Sequence, residues 1–267
     1  MTESAWRVAV DNDFAGDPDG LVSLAHLLVG DAVRVELITT SLLDANLAAL
    51  AGVDAGRTAA AGVIRVEGLY RAAAAEPPPI IAGAESLDAE AANPAAEALV
   101  TWSASFDDAP RLLLCGGPLT NIAAALRCDA GLVDRVRLVW IGGALDGGPE
   151  YNRDTDAAAA AEVFASAFDI VQIPREHYAQ LRYSLVEIAD GVGRAGVLGR
   201  WLVDELFDVP PFVTLRGALT LGDSALVSVS ALDPTLDAVV RPGRRIIADV
   251  DPRLLWGDFL TLLRGRV

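Results

Sequence analysis

The sequence contains no lysine; all 21 of its basic residues are arginine. That absence excludes Schiff-base chemistry, a P-loop lysine and a lysine general base. Cysteine is nearly absent too. The two that occur, Cys115 and Cys128, offer no disulfide framework and no zinc-ligand spacing. Cys115 ends an apolar run and reads as a buried core thiol. Histidine also occurs only twice, at positions 26 and 177. No apolar run is long enough to span a bilayer, and no basic residue precedes an apolar stretch at the N-terminus. The expectation is a cytoplasmic protein with no membrane partner.

Acid is in excess. The formal net charge is −16. A field of that sign repels phosphate backbones, which argues against nucleic acid and for a neutral small molecule or a metal cation. The 267 residues, 52% of them hydrophobic, suffice for an ordinary core. Apolar strand candidates at 6–10, Val33–Thr39, Arg111–Cys115, Val136–Ile141 and Asp169–Ile173 alternate with helix candidates. Those helices are expected at 20–29, 46–62, 95–104, from Thr120, and over 157–167. The alternation predicts one α/β domain over 1–267, with a central, mostly parallel sheet flanked by helices. A short strand is expected over Ile64–Glu67 and a last strand over Arg245–Val250, with extra helices toward the C-terminus. Residues 72–96, rich in Ala, Pro and Glu, read as a surface excursion near the mouth of the site.

The densest chemistry lies in Asp11-Asn-Asp13-Phe-Ala-Gly16-Asp17-Pro-Asp19-Gly20, between the first strand and the first helix. Ligands of open α/β sheets bind beyond the carboxyl ends of strands. Four carboxylates in nine residues repel one another unless a cation neutralises them. Their hard oxygens suit Ca²⁺ or Mg²⁺ rather than zinc. A solvated acidic turn uses the same residue types. An EF-hand fits poorly, because its twelfth position would be Val22 rather than Glu. A phosphatase starting with strand-Asp-x-Asp is a further alternative, but it wants a basic phosphoryl holder, usually lysine.

Three further segments accompany the cluster: Leu114-Cys-Gly116-Gly117-Pro118-Leu119-Thr120-Asn121-Ile122-Ala123, Ile141-Gly142-Gly143-Ala144 followed by Glu150-Tyr151-Asn152, and Leu221-Gly222-Asp223-Ser224. In order and spacing the four resemble the inosine-uridine nucleoside hydrolase family over roughly residues 6–260. The resemblance implies a Ca²⁺-dependent enzyme that cleaves the N-glycosidic bond of a ribonucleoside or related N-riboside. It implies Asp13 as both metal ligand and general base. It also implies Asp19, the backbone carbonyl of Thr120, and Asp223 as further metal ligands. Asp17, Asn46, Glu150 and Asn152 would then bind the sugar. A homodimer or homotetramer is common in that family.

The sequence departs from the family pattern in three places, one of them the stretch from Thr40 to Asn46, which is longer and carries Ala45 where Gly is usual. The Asp cluster is one residue longer, with Phe14 in place of Pro, which leaves open how Asp17 and Asp19 divide their roles. Gly222 stands where many members carry a histidine that protonates the leaving base, and glycine cannot do so. His26 reads as structural, and His177 is the other histidine to consider. Trp201 and Trp256 could stack on a base, although helix packing explains them equally well. A catalytically weak or inactive riboside-binding relative is therefore the second reading.

Overall fold

A computed structural model describes residues 6–88, 93–104, 110–210, 212–233 and 238–266. Ten strands occur among them: β1 (Trp6–Asn12), β2 (Val33–Thr40), β3 (Ile80–Ala82), β4 (Arg111–Cys115), β5 (Arg137–Ile141), β6 (Asp169–Ile173), β7 (Arg182–Ser184), β8 (Ala218–Thr220), β9 (Ala238–Arg241) and β10 (Arg244–Ile247). Eight of them form one sheet in the order β3-β2-β1-β4-β5-β6-β10-β9, parallel throughout except for β9 against β10. β7 and β8 pair antiparallel as a separate ribbon. This is the mostly parallel α/β architecture expected from the sequence.

Both faces of the sheet are covered, as parallel strands require. Side chains alternate between the faces. Val8, Val10, Ile38, Leu112, Leu114, Val139 and Ile141 point into one core, and Ala9, Leu37, Leu113, Cys115, Leu138 and Trp140 into the other. The first core is closed by α1 (Asp19–Val29), α3 (Thr58–Ala72), α10 (Gly196–Phe207), α11 (Ala225–Val227) and α12 (Pro252–Gly265). The second is closed by α4 (Pro94–Ser103), α5 (Thr120–Cys128) and α7 (Ala157–Ala165). The remaining helices are short: α2 (Ala45–Leu50), α6 (Tyr151–Thr155), α8 (Arg175–Tyr178) and α9 (Leu185–Glu187).

Two sequence expectations are corrected here. Ile64–Glu67 is no strand but the middle of α3. Ala59, Gly62, Val66 and Leu69 recur at helical spacing, and all four are buried. The helix expected over 46–62 is two helices, broken where Gly52 takes a positive φ of 73°. Of the 72–96 stretch, residues 89–92 lie outside the described residues. The rest contributes β3 to the sheet edge; Pro77–Pro79 line a groove beside the start of β2, and Ala84, past β3, donates its N–H to Asn121 Oδ1 at 3.1 Å.

Three of the aromatic and histidine side chains, His26, Trp140 and Trp256, are packed into the fold. His26 is buried, with Nε2 2.8 Å from Asp258 Oδ2 and its ring 5.1 Å from Phe259. Trp140 is enclosed in the second core, and Trp256 stacks on Tyr183 at 4.4 Å.

Candidate active site

The alternation of β1 sorts its last residues onto different partners. Asp11 points to the α5 side and is completely buried. There Thr39 Oγ1 donates to its Oδ2 at 2.5 Å and Asn121 Nδ2 at 2.8 Å, while the Cys115 thiol faces Oδ1 at 3.8 Å. Burial still outweighs these donors and raises the Asp11 pKa to about 6. Asn12 points the other way, and its Nδ2 donates to Asp223 Oδ2 at 2.7 Å. Its amide is clamped between two glycines. A Cβ at Gly20 would stand 2.6 Å from Asn12 Nδ2, and one at Gly116 would stand 2.4 Å from it. Only glycine permits that approach on both sides.

Past the strand, Gly16 N–H donates to the Asp13 carbonyl at 2.8 Å, closing a turn. Phe14, 1% exposed, roots this turn in the first core. An aromatic anchor thus replaces the proline that the resemblance would lead one to expect. The turn leaves Asp13 buried at the floor of a cleft of about 410 Å³. Burial is the main cause that raises its carboxyl well above the ordinary carboxylate range, followed by the charge of Asp223. Asp19, in the first turn of α1, is shifted the same way by burial and then by Asp223, and its Oδ2 accepts the Asp223 N–H at 2.9 Å. Asp223 follows β8, is 6% exposed, and is shifted upward chiefly by burial. Asp17 stands at the mouth, accepting weakly from Asp19 N–H at 3.4 Å.

One wall of the cleft comes from the loop after β5. Glu150 caps α6: its carboxylate accepts from the N–H groups of Gly143, Asn152 and Arg153 and from the Tyr178 hydroxyl at 2.9 Å. Asn152 spends both amide hydrogens on backbone, donating to the Gly116 and Ile141 carbonyls at 2.9 Å each. The rim is apolar. Leu43, Leu47 and Ala51 form one lip, and Leu206, Val209, Pro210, Phe212 and Val213 form the other, with Asp208 beside them.

Of the residues the resemblance singles out, Asp13, Asp17, Asp19, Glu150, Asn152 and Asp223 all line this one cleft. Thr120 and Asn46 do not. Thr120 opens α5 and turns its hydroxyl to Asp156 Oδ2 at 2.6 Å, away from the cleft. Gly116, at the end of β4, lies against Asp223 instead; a Cβ there would sit 2.8 Å from Asp223 Oδ2. Asn46 is exposed in the first turn of α2. His177, Trp201 and Trp256 are likewise not among the lining residues. Sequence reasoning passed over Asn12, Gly116 and Tyr178. The strand alternation and the paired glycines carried a signal for the first two. Nothing local marked Tyr178, which reaches Glu150 across 28 positions.

Three of these carboxylates, Asp13, Asp19 and Asp223, are buried and perturb one another, and the donor set is all oxygen. That chemistry fits a hard divalent cation. In the described side chains, however, no three acidic, His or Cys groups converge tightly enough to form a ready-made cage. Among the described residues no cationic side chain lines the cleft, which argues against a phosphoryl ligand.

Carboxylates gathered at the carboxyl ends of a parallel sheet define a class of α/β protein with an acidic small-ligand cleft. A family model described as inosine-uridine preferring nucleoside hydrolase matches residues 8–208. The chain therefore belongs to that family, glycosidases that act on N-glycosyl bonds, and membership implies a metal-dependent enzyme. No curated protein sequence matches it. Among solved structures, a plant nucleoside hydrolase is similar at TM-score 0.72 and 18% identity, over 98% of this chain and 100% of that one. The inosine-uridine preferring nucleoside hydrolase from Bacillus anthracis is similar at 0.70 and 19%, over 98% and 100%. The type III effector protein XopQ, complexed with adenosine diphosphate ribose, is similar at 0.72 and 15%, over 100% and 94%. No helix among the described residues is long and apolar enough to cross a membrane.

Proposed function

We propose that this chain hydrolyses the N-glycosidic bond of a ribonucleoside or related N-riboside, releasing ribose and the free base. One observation carries the reading: Asp13, Asp19 and Asp223 are buried side by side on the floor of a cleft whose wall presents Glu150 and Asn152. Asp13, Asp19 and Asp223 would hold Ca²⁺. The backbone carbonyl of Thr120 would be the further ligand that the resemblance implies. When bound, the ion would lower the pKa of a water and orient the ribose hydroxyls.

The chain's own residues supply the rest. Asp13 takes the proton of the attacking water. Asp17 at the mouth and Glu150 and Asn152 on the wall bind the sugar. As the bond to the base breaks, positive charge builds on the ribose ring, and the surrounding carboxylates stabilise it. Their orientation is already fixed by the Glu150 cap and the two amide bonds of Asn152, so little reorganisation is needed.

The test is ribose release from p-nitrophenyl riboside, inosine and uridine, with added Ca²⁺ and after chelation. The nitrophenyl group departs unaided, so its calcium-dependent cleavage reports on the floor of the cleft alone. No cleavage of any of the three would sink the proposal. A second reading, riboside binding with little turnover, draws support from Gly222 and from the effector of like fold that holds a ribosyl ligand. It predicts calcium-dependent ribose binding without sugar release. A homodimer or homotetramer in the cytoplasm completes the proposal, with light scattering after gel filtration as its measurement.

A further inference from the structure

Hydrolysis of an ordinary nucleoside needs a proton for the departing base, and this cleft has no evident source of one. The chain lacks lysine, and none of its arginines or histidines is among the residues that line the cleft. The donor-bearing side chains on its walls are Tyr151, Asn152 and Tyr178. Asn152 has both hydrogens on backbone carbonyls, and the Tyr178 hydroxyl donates to Glu150. Tyr151, at the rim, accepts the Asp44 N–H at 3.1 Å, and burial holds its own hydroxyl above the ordinary phenol range, which makes it a poor acid. Position 222 is closed to any larger side chain, because a Cβ there would stand 2.9 Å from Tyr178 Cδ2. The Tyr178 ring occupies that space. Meanwhile the cleft is lined by six carboxylates, those of Asp13, Asp17, Asp19, Glu150, Asp208 and Asp223, and its mouth carries the exposed ring of Phe212.

A donor-poor, acidic cleft suits one chemical class of leaving group. We infer that its preferred substrates are cationic N-ribosides, in which the heteroaromatic ring bound to C1′ already carries a positive charge, as in a pyridinium riboside. The inference rests on the N-ribohydrolase reading and narrows it. The C1′–N bond breaks and its electron pair stays on the ring nitrogen, cancelling the charge, so the base leaves neutral. The water oxygen bonds to C1′ and its proton passes to Asp13. No acid takes part, and charge and atoms balance as ribose, neutral base and one proton. The carboxylates attract the cationic ring electrostatically, and the faces of Phe212 and Tyr178 can stack on it.

The experiment measures kcat/KM of the calcium-loaded protein for nicotinamide riboside, inosine, uridine and p-nitrophenyl riboside. The inference expects nicotinamide riboside to exceed both neutral nucleosides by about 100-fold or more, the scale of an absent general acid, with p-nitrophenyl riboside also cleaved. Cleavage of p-nitrophenyl riboside with inosine or uridine turned over as fast as nicotinamide riboside would overturn it. So would cleavage of p-nitrophenyl riboside with nicotinamide riboside untouched. In both cases the hydrolase reading survives. If none of the four is cleaved, the hydrolase reading fails and the inference falls with it.

Discussion

Replacing Asn12 with Leu keeps the branched side-chain shape in the slot between Gly20 and Gly116, adds bulk whose cost is the same at every pH, and removes the amide that donates to Asp223 Oδ2 at 2.7 Å; the pH-dependent part of the loss reports on that amide. A hydrogen bond to a buried charged group contributes about 1.5–3 kcal/mol. Asp223 is buried and no other side-chain donor is known to reach it, so the loss falls on the ionised form. The sign follows from linkage. The bond favours the ionised carboxylate and opposes the upward shift that burial imposes. Its contribution is therefore present at pH 8 and fades as the pH falls and the carboxyl protonates. In the chelated protein, Asn12→Leu should cost about 1.5–3 kcal/mol at pH 8, roughly 3–10 °C in Tm for a chain of this size. At pH 5 that part of the cost should be much smaller. With calcium present, the misplaced Asp223 should weaken metal affinity by roughly 10- to 100-fold, the same free energy expressed as a binding ratio. Urea unfolding at the two pH values and calorimetric calcium titration measure both. An equal cost at pH 5 and pH 8, with unchanged calcium affinity, would refute the assignment of Asn12 as the group that orients Asp223.

Asp13→Asn should lower turnover of p-nitrophenyl riboside by about 100- to 10,000-fold while the circular dichroism spectrum holds, since it removes a general base and not a packing group; the Tm of the chelated protein should not fall, because the change removes a buried charge. The chelated protein should grow more stable between pH 7 and pH 5. Asp11 ionises near 6 in the fold against 3.8 unfolded, so its ionisation withdraws roughly 3 kcal/mol in all as the pH rises from about 4 past 6, of which roughly 1.3 kcal/mol falls between pH 5 and 7; a Tm that rises steadily with pH over that range would contradict it. His26→Leu should leave kcat/KM unchanged and shift stability modestly, because the ring serves Asp258 and Phe259 under α1 rather than the cleft; a loss of activity at full calcium loading would place His26 in the chemistry after all. Tyr178→Phe should raise KM more than it lowers kcat, by freeing Glu150 from the phenol that holds it; unchanged kinetics would mean the Gly143, Asn152 and Arg153 amides suffice.

Much of the fold was legible in the sequence because parallel strands buried on both faces leave near-continuous apolar runs. Leu112–Leu114 and Leu138–Ile141 are such runs. α3 was harder to read, because its alanines and glycine blur the boundary between helix and strand signals. Within the site, the carboxylates were legible because charge that dense between strand and helix has few other uses. Thr120 was singled out for its backbone carbonyl, while its side chain starts a helix and ties it to Asp156. Asn46 was reached by counting along a loop longer than the pattern, and it stands exposed in α2 rather than among the lining residues. Tyr178 lay beyond any local argument, because its partners Glu150 and Gly222 lie 28 and 44 positions away.

The wall residues Glu150 and Asn152 each serve two masters. One caps a helix and the other staples the ends of β4 and β5 together, so neither can change without loosening the scaffold. The far lip, from Leu206 to Val213, carries no such obligation in the hydrogen bonds of the floor. Sequence drift is thus channelled. On the proposed reading the constrained wall meets the sugar and the far lip meets the leaving group. Substitutions at Val209, Pro210, Phe212 and Val213 would then retarget the base and leave the ribose contacts untouched; Leu206, which is anchored in the first core, would not tolerate change.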